Sequence, residues 1–113
     1  MAVFEIYIPK SGDFRVLLKF NNSVEFISKA LTSRVECLQM IRFIRKNCHK
    51  DFAYIKKNLN CGSWCFELSQ ADEQGVLGRS TTYIDEPTVL NRISEMKMLA
   101  PKAKFESKLL IIN

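Results

Sequence analysis

Four glycines and a single histidine stand among the 113 residues of this chain, and each scarcity removes a class of chemistry. The glycines are dispersed, so no Gly-rich loop is available to cradle phosphates. His49, the only imidazole, lies just past the end of an expected helix among cations, so no catalytic triad is expected. The cysteines, Cys37, Cys48, Cys61 and Cys65, include no C-x-x-C pair. A zinc site of Cys48, His49, Cys61 and Cys65 is the one alternative the spacing leaves, and with a lone histidine it is disfavoured, so no metal and no cofactor are expected. No stretch approaches the roughly 20 apolar residues of a membrane span. Residues 1–10 have neither a basic start nor a continuous apolar run, so the expectation is a cytoplasmic protein with reduced thiols and no membrane partner.

Hydrophobic residues make up 47% and charged residues 26%, which is globular composition. One domain spanning 1–113 is expected, since a chain of this size buries roughly two-thirds of its unfolded surface. Internal similarity organises it. A shift of 50 positions aligns Gly12 with Gly62, Phe14 with Trp64, Val16 with Phe66 and Leu18 with Leu68. After a two-residue insertion near Glu73 the shift becomes 52, pairing Val24 with Val76, Ser28 with Ser80, Leu38 with Leu90, Ile41 with Ile93 and Ile44 with Met96. The repeats then cover about 1–50 and 51–102, with a terminal strand at about 104–112.

In the first repeat Phe4, Ile6 and Ile8 alternate with Glu5 and Tyr7, and Phe14, Val16, Leu18 and Phe20 alternate with Arg15, Leu17 and Lys19, which is the period of half-buried strands. Pro9 to Asp13 supplies a turn, and a third strand is expected to carry Val24 and Phe26 on one face. Ser33 and Glu36 then form a capping box, each able to satisfy an orphan N–H at a helix start. The helix places Cys37, Leu38, Ile41, Ile44 and Cys48 on one stripe. In the second repeat strands are expected near 52–57, 64–69 and 76–81. Asp85-Glu86-Pro87 opens a second helix, whose stripe is Val89, Leu90, Ile93, Met96 and Ala100. The fold class is therefore α+β: two tandem β3-α repeats plus a terminal strand, forming one mostly antiparallel sheet with two helices on one face.

The run Phe4-Glu5-Ile6-Tyr7, then Gly12 to Lys19, Ser28 to Ser33, and Cys37 with Ile41 and Ile44-Arg45-Lys46-Asn47 resembles the YegP-like family of small bacterial proteins of unassigned function. The resemblance covers nearly the whole chain. It implies one continuous sheet in which the terminal strand, residues 104–112, lies beside strands of the first half. It departs at Asn22-Ser23, which replaces an Asn-Gly type turn, at Leu31, where an aromatic is usual and Tyr83 keeps one, and at Lys97-Met98-Leu99 closing the second helix. It carries no catalytic or ligand residues to this chain.

Cys37 and Cys48 fall on helix stripes opposite Val89 and Ala100 in the other repeat, and so read as small core residues. Cys65 aligns with Arg15 on the opposite strand face and is expected to be exposed. Glu5, Glu25 and Glu67 occupy outward strand positions with no second carboxylate around a pocket, so catalysis is not expected. Residues 1–60 carry 11 basic and five acidic side chains against six and seven in 61–113, so the net charge of +5 originates in the first half. Arg42, Arg45, Lys46, Lys50, Lys56 and Lys57 are the candidates for anion or nucleic-acid binding. The helix-free sheet face is expected to display Tyr7, Arg15, Leu17, Lys19, Ile27, Lys29, Cys65, Glu67, Leu77 and Arg79. With Tyr7 its only aromatic it suits RNA poorly. Tyr7, Leu17, Ile27 and Leu77 are instead the candidates for a protein interaction. The leading expectation is a non-catalytic interaction module that binds a protein partner or itself. Weak, sequence-independent nucleic-acid binding is the alternative.

Overall fold

The computed structural model describes residues 1–8, 12–70 and 75–111, the last five as backbone only. The turn at Pro9 to Ser11, the insertion near Glu73 and the end of the expected strand at Ile112 lie outside the described residues. The chain runs β1 (Ala2–Ile8), β2 (Arg15–Phe20), β3 (Ser23–Ser28), α1 (Arg34–Asn47), β4 (Tyr54–Asn58), β5 (Trp64–Ser69), β6 (Val76–Ser80), α2 (Glu86–Leu99) and β7 (Lys104–Ile111). One seven-stranded sheet results, in the order β4-β5-β6-β3-β2-β1-β7. All neighbours are antiparallel except β1 and β7. The terminal strand therefore lies beside the first.

Local chemistry explains the boundaries. β2 and β3 are joined through Asn21 and Asn22, with φ of 51° and 70°. A two-residue hairpin turn requires such positive values, and asparagine tolerates them better than other non-glycine residues. Gly12 and Gly62 adopt φ of 90° and 86° at matching positions in the two halves. Ser33 Oγ accepts from Glu36 N–H, while Glu36 Oε1 reaches back to Thr32 N–H at 2.8 Å. Asp85 Oδ1 caps α2 by accepting from Thr88 N–H at 2.9 Å. Phe52 and Ala53, expected as the start of a strand, lie instead in a 3₁₀ turn over 51–53, and Phe52 is left exposed.

The two halves meet at β3 and β6, where Ile27 lies opposite Arg79, its own counterpart 52 positions on. Phe26–Ser80 and Ser28–Gly78 flank that pair. A local dyad thus runs through the middle of the sheet. Matching hydrogen bonds surround it: Val16 N–H donates to Ser28 Oγ at 2.8 Å, and Phe66 N–H to Ser80 Oγ at 2.9 Å. Each hydroxyl then donates to the next carbonyl, of Lys29 and Thr81. Both strands also carry a bulge, at Glu25 and at Leu77. Because a bulge places two residues opposite one, the alternation of faces reverses there. Val24 and Phe26 consequently do not share a face.

Between sheet and helices lies a core in which Phe4, Ile6, Val16, Leu18, Phe26, Phe66 and Leu68 meet Cys37, Met40, Ile41 and Ile44 of α1 and Val89, Ile93 and Met96 of α2. Leu38 and Leu90, expected inside, are 37% and 46% exposed. Each follows the first inward residue by one position, and one position rotates a helical side chain by about 100°. They therefore flank the buried stripe rather than fill it. Cys37 and Cys48 are fully buried as expected, whereas Cys65, expected outside, is buried too. Burial pushes the Cys37 thiol up to about 11 and raises Cys48 and Cys65 as well. Cys61 is exposed, and a hydrogen bond with the Ser63 side chain lowers its pKa.

Four outcomes follow from this packing. Ile44→Ala and Met96→Ala should each cost about 2–5 kcal/mol in denaturant unfolding, and Leu38→Ala and Leu90→Ala clearly less. Gly78→Ala should destabilise by about 1–3 kcal/mol, as overpacking does, because an added Cβ would lie 2.5 Å from both Ile27 O and Phe26 Cζ. Alkylation of the native protein should label Cys61 alone and rapidly, with the other three thiols reacting after denaturation. Ser63→Ala should raise the pH at which Cys61 reacts.

Candidate functional site

On the helix-free face one row crosses six strands: Ile55, Glu67, Arg79, Ile27, Leu17 and Glu5. Glu67 accepts from Arg79 Nη2 at 2.8 Å and Nε at 3.3 Å, and pairs with Lys57 Nζ at 3.2 Å. Burial pushes the Glu67 carboxyl up, but hydrogen bonds from Arg79 and Lys57 outweigh it and hold the pKa below the usual value. Glu5 pairs with Lys19 at 3.1 Å. Both carboxylates were expected to be solvated, yet Glu67 is 4% and Glu5 8% exposed, because longer cationic neighbours fold over them.

Across the dyad on this face runs a groove of about 450 Å³ lined by Arg15, Ile27, Lys29, Glu67, Val76 and Arg79. Arg15 Nη1 donates to the Ser28 carbonyl at 3.0 Å, which fixes it at the groove wall. Ile27 and Val76 are the exposed apolar residues of the groove. Arg15 and Lys29 have no carboxylate partner among the described residues, so the groove is apolar along its middle and cationic at its sides.

Of the four residues expected to form an apolar patch, Ile27 is exposed and Tyr7 half-buried opposite Arg15. Leu17 is buried between Glu5 and Ile27. Leu77 is 4% exposed and belongs to the helix-side core, which corrects its expected position. The β6 bulge turns Leu77 inward and sets Val76 in the groove with Ile27. The matching bulge in β3 turns Glu25 inward, again contrary to expectation. There Glu25 accepts from Tyr83 Oη at 2.7 Å and lies 3.8 Å from Arg92, which also holds Glu95 at 3.0 Å. Strict alternation hides these reversals, but the 52-residue match of Glu25 with Leu77 is a signal that both strands deviate at one position.

The six basic candidates do not share one surface. Arg42 and Lys46 are exposed on α1, one turn apart. Arg45 turns inward, its Nη2 donating to the Ala103 carbonyl at 2.7 Å and its guanidinium 5.4 Å from the Phe4 ring. Lys50 lies over the Phe52 ring at 5.9 Å. Lys56 pairs with Glu86 at 3.0 Å, whereas Lys57 pairs with Glu67 on the helix-free face. Successive strand residues point to opposite faces, so these two lysines are separated.

Two further crevices flank the helices at positions related by the dyad. One, about 370 Å³, is lined by Leu31, Met40, Phe43 and Leu77 together with Lys29 and Gln70. Its counterpart, about 480 Å³, has Glu25, Arg92 and Glu95 instead. Burial pushes the Tyr83 hydroxyl beside it to about 12, so near neutral pH this tyrosine stays protonated and donates to Glu25. The cluster is thus internally paired. Among the described residues no three His, Cys, Asp or Glu side chains are grouped to hold a metal ion, and no helix is long and apolar enough to cross a membrane.

No family model matches the chain. The solution structure of YegP from E. coli, described as a protein of unknown function, has a TM-score of 0.85 at 24% identity, covering 96% of this chain and 93% of that one. A UPF0339 protein from Shewanella oneidensis has the same TM-score at 19% identity, over 96% and 92%. At these identities the likeness shows the fold. A UPF0339 protein in the 5′ region of the ptx operon of Stutzerimonas stutzeri is 33% identical over 104 residues, 91% of this chain and 93% of the relative. Sequence identity sustained over nearly both full lengths, together with the shared fold, shows that the chain belongs to the YegP-like UPF0339 family.

Proposed function

We propose that the chain is a non-catalytic docking module that receives an acidic protein surface on its helix-free sheet face. The observation that carries this reading is the groove across the dyad, where Ile27 and Val76 lie between Arg15, Lys29 and Arg79 with Glu67 as the single carboxylate. An apolar centre with arginine beside it is common interface anatomy. The absence of catalysis fits the carboxylates, which are engaged: Glu67 with Arg79 and Lys57, Glu5 with Lys19, and Glu25 with Tyr83. General acid–base work instead needs a group available to the reacting atom. Three buried cysteines without disulfides suit a reducing compartment, which supports a cytoplasmic setting.

The second reading is sequence-independent nucleic-acid binding through Arg42, Lys46 and Lys50. It is favoured by one observation: these three have no carboxylate partner among the described residues. Capture from lysate with and without nuclease separates the two. The docking reading expects protein partners that survive nuclease, are lost with Arg15→Glu/Ile27→Asp, and persist with Arg42→Glu/Lys46→Glu. Loss of all capture after nuclease, with a steep decline as salt rises, would assign the α1 surface to phosphates instead.

A further inference from the structure

The two halves of the sheet have the same frame but different borders. β1 pairs with β2 through Phe4–Leu18 and Ile6–Val16, and β4 pairs with β5 through Tyr54–Leu68 and Lys56–Phe66, the same register 50 positions later. Beyond β1 lies β7, parallel to it. Among the described residues no strand lies beyond β4. The uncovered border has left its mark on exposure. Ala2 is 6% exposed beside β7, whereas its counterpart Phe52 is 63% exposed. Glu5 at 8% likewise corresponds to Ile55 at 42%.

The strap that secures β7 is also present twice. Arg45 on α1 lies 5.4 Å from the Phe4 ring and donates to the carbonyl of Ala103, the residue leading into β7. Lys97, 52 positions later on α2, lies 5.6 Å from the ring of Tyr54, the counterpart of Phe4. With no strand to secure, its ammonium is paired with the exposed Asp51 carboxylate.

We propose that the free edge of β4 takes an extended acidic peptide of a partner protein, laid parallel to β4 as an eighth strand, with Lys97 receiving its leading carbonyl as Arg45 receives that of Ala103. The direction of the backbone groups permits it. Leu59 N–H donates to Ser63 O at 2.7 Å, so in this antiparallel ladder the N–H groups of Ile55, Lys57 and Leu59 face β5. Those of Lys56 and Asn58 therefore face outward. Edge strands are commonly guarded by lysines standing in solvent. Here Lys56 and Lys57 are drawn back onto Glu86 and Glu67, one on each face, which leaves the edge itself open. The acidic character of the occupant follows from Lys50, which has no carboxylate partner among the described residues, and from Lys97, whose partner Asp51 is exposed and can give way, since opposite charges on adjacent strands attract. This edge is separate from the groove at the dyad, so either surface stands without the other.

The test uses the full chain and a blocked synthetic peptide of residues 103–111 carrying Lys104→Glu and Lys108→Glu, the segment type that fills the equivalent position beside β1. Amide exchange read by NMR should show new protection at Lys56 and Asn58. A spin label on the peptide N-terminus should broaden signals at the Tyr54 end of β4. Lys56→Pro removes an outward N–H while leaving the β4–β5 ladder intact, and should weaken binding on the order of tenfold, the effect of one lost backbone hydrogen bond. Asp51→Asn, which releases Lys97, should tighten it. No protection of β4 at millimolar peptide, broadening at the Asn58 end, or protection confined to Ile27 and Arg79 would each overturn the proposal.

Discussion

The seam between β3 and β6 is the constraint on which the rest of the molecule depends. Three residue pairs join two four-element halves there. Their close approach is possible because Gly78 has no side chain, so that Phe26 of the facing strand can cover it. The two are counterparts across the dyad, one of the largest side chains matched with the smallest. A symmetrical pair of phenylalanines would not fit, and a pair of glycines would leave a void; either would reduce the packing that keeps the sheet continuous. The Ser28 and Ser80 hydroxyls secure the same region by accepting a backbone N–H from the adjoining hairpin and donating to the next carbonyl.

Around this seam the halves have diverged where the frame permits it. Equivalent crevices beside the helices hold Met40, Phe43 and Leu77 on one side and Arg92, Glu95 and Glu25 on the other. Exchanging an apolar trio for a charged one is tolerable only as a group, because a buried carboxylate without Tyr83 and Arg92 would carry its full desolvation cost. The borders diverge more simply: the chain supplies one terminal strand, and it covers β1. The helix-free groove and the β4 edge are surfaces that the described residues leave uncovered, and both docking proposals are built on them.

Much of this was legible in the residues. The two-residue period of the strands, the caps at Ser33 and Asp85, the three- and four-residue spacing of the helices and the match at 50 and 52 positions gave the order of elements and the α+β class. These signals are local, since hydrogen-bonding geometry within a few residues imposes them. The candidate site was legible only in part. Ile27, Arg15, Lys29 and Arg79 were expected on the helix-free face and lie there. Leu77 and Glu25 were misplaced because a bulge reverses alternation without changing composition.

The chain alone thus determined which segments become strands and helices, and that its two halves would be built alike, because periodicity and capping are properties of neighbouring residues. The direction in which individual side chains point is set by packing between segments distant in the chain. Leu38 and Leu90 lie at the flank of their stripes because the angle at which a helix rests on the sheet selects the buried arc. Arg45 leaves the basic set because the Ala103 carbonyl, 58 residues away, needs a donor. Cys65 and Leu17 are covered on an open face because charged side chains from adjacent strands fold over them. In each case the deciding partner is distant in sequence, and no pattern of adjacent residues records its position.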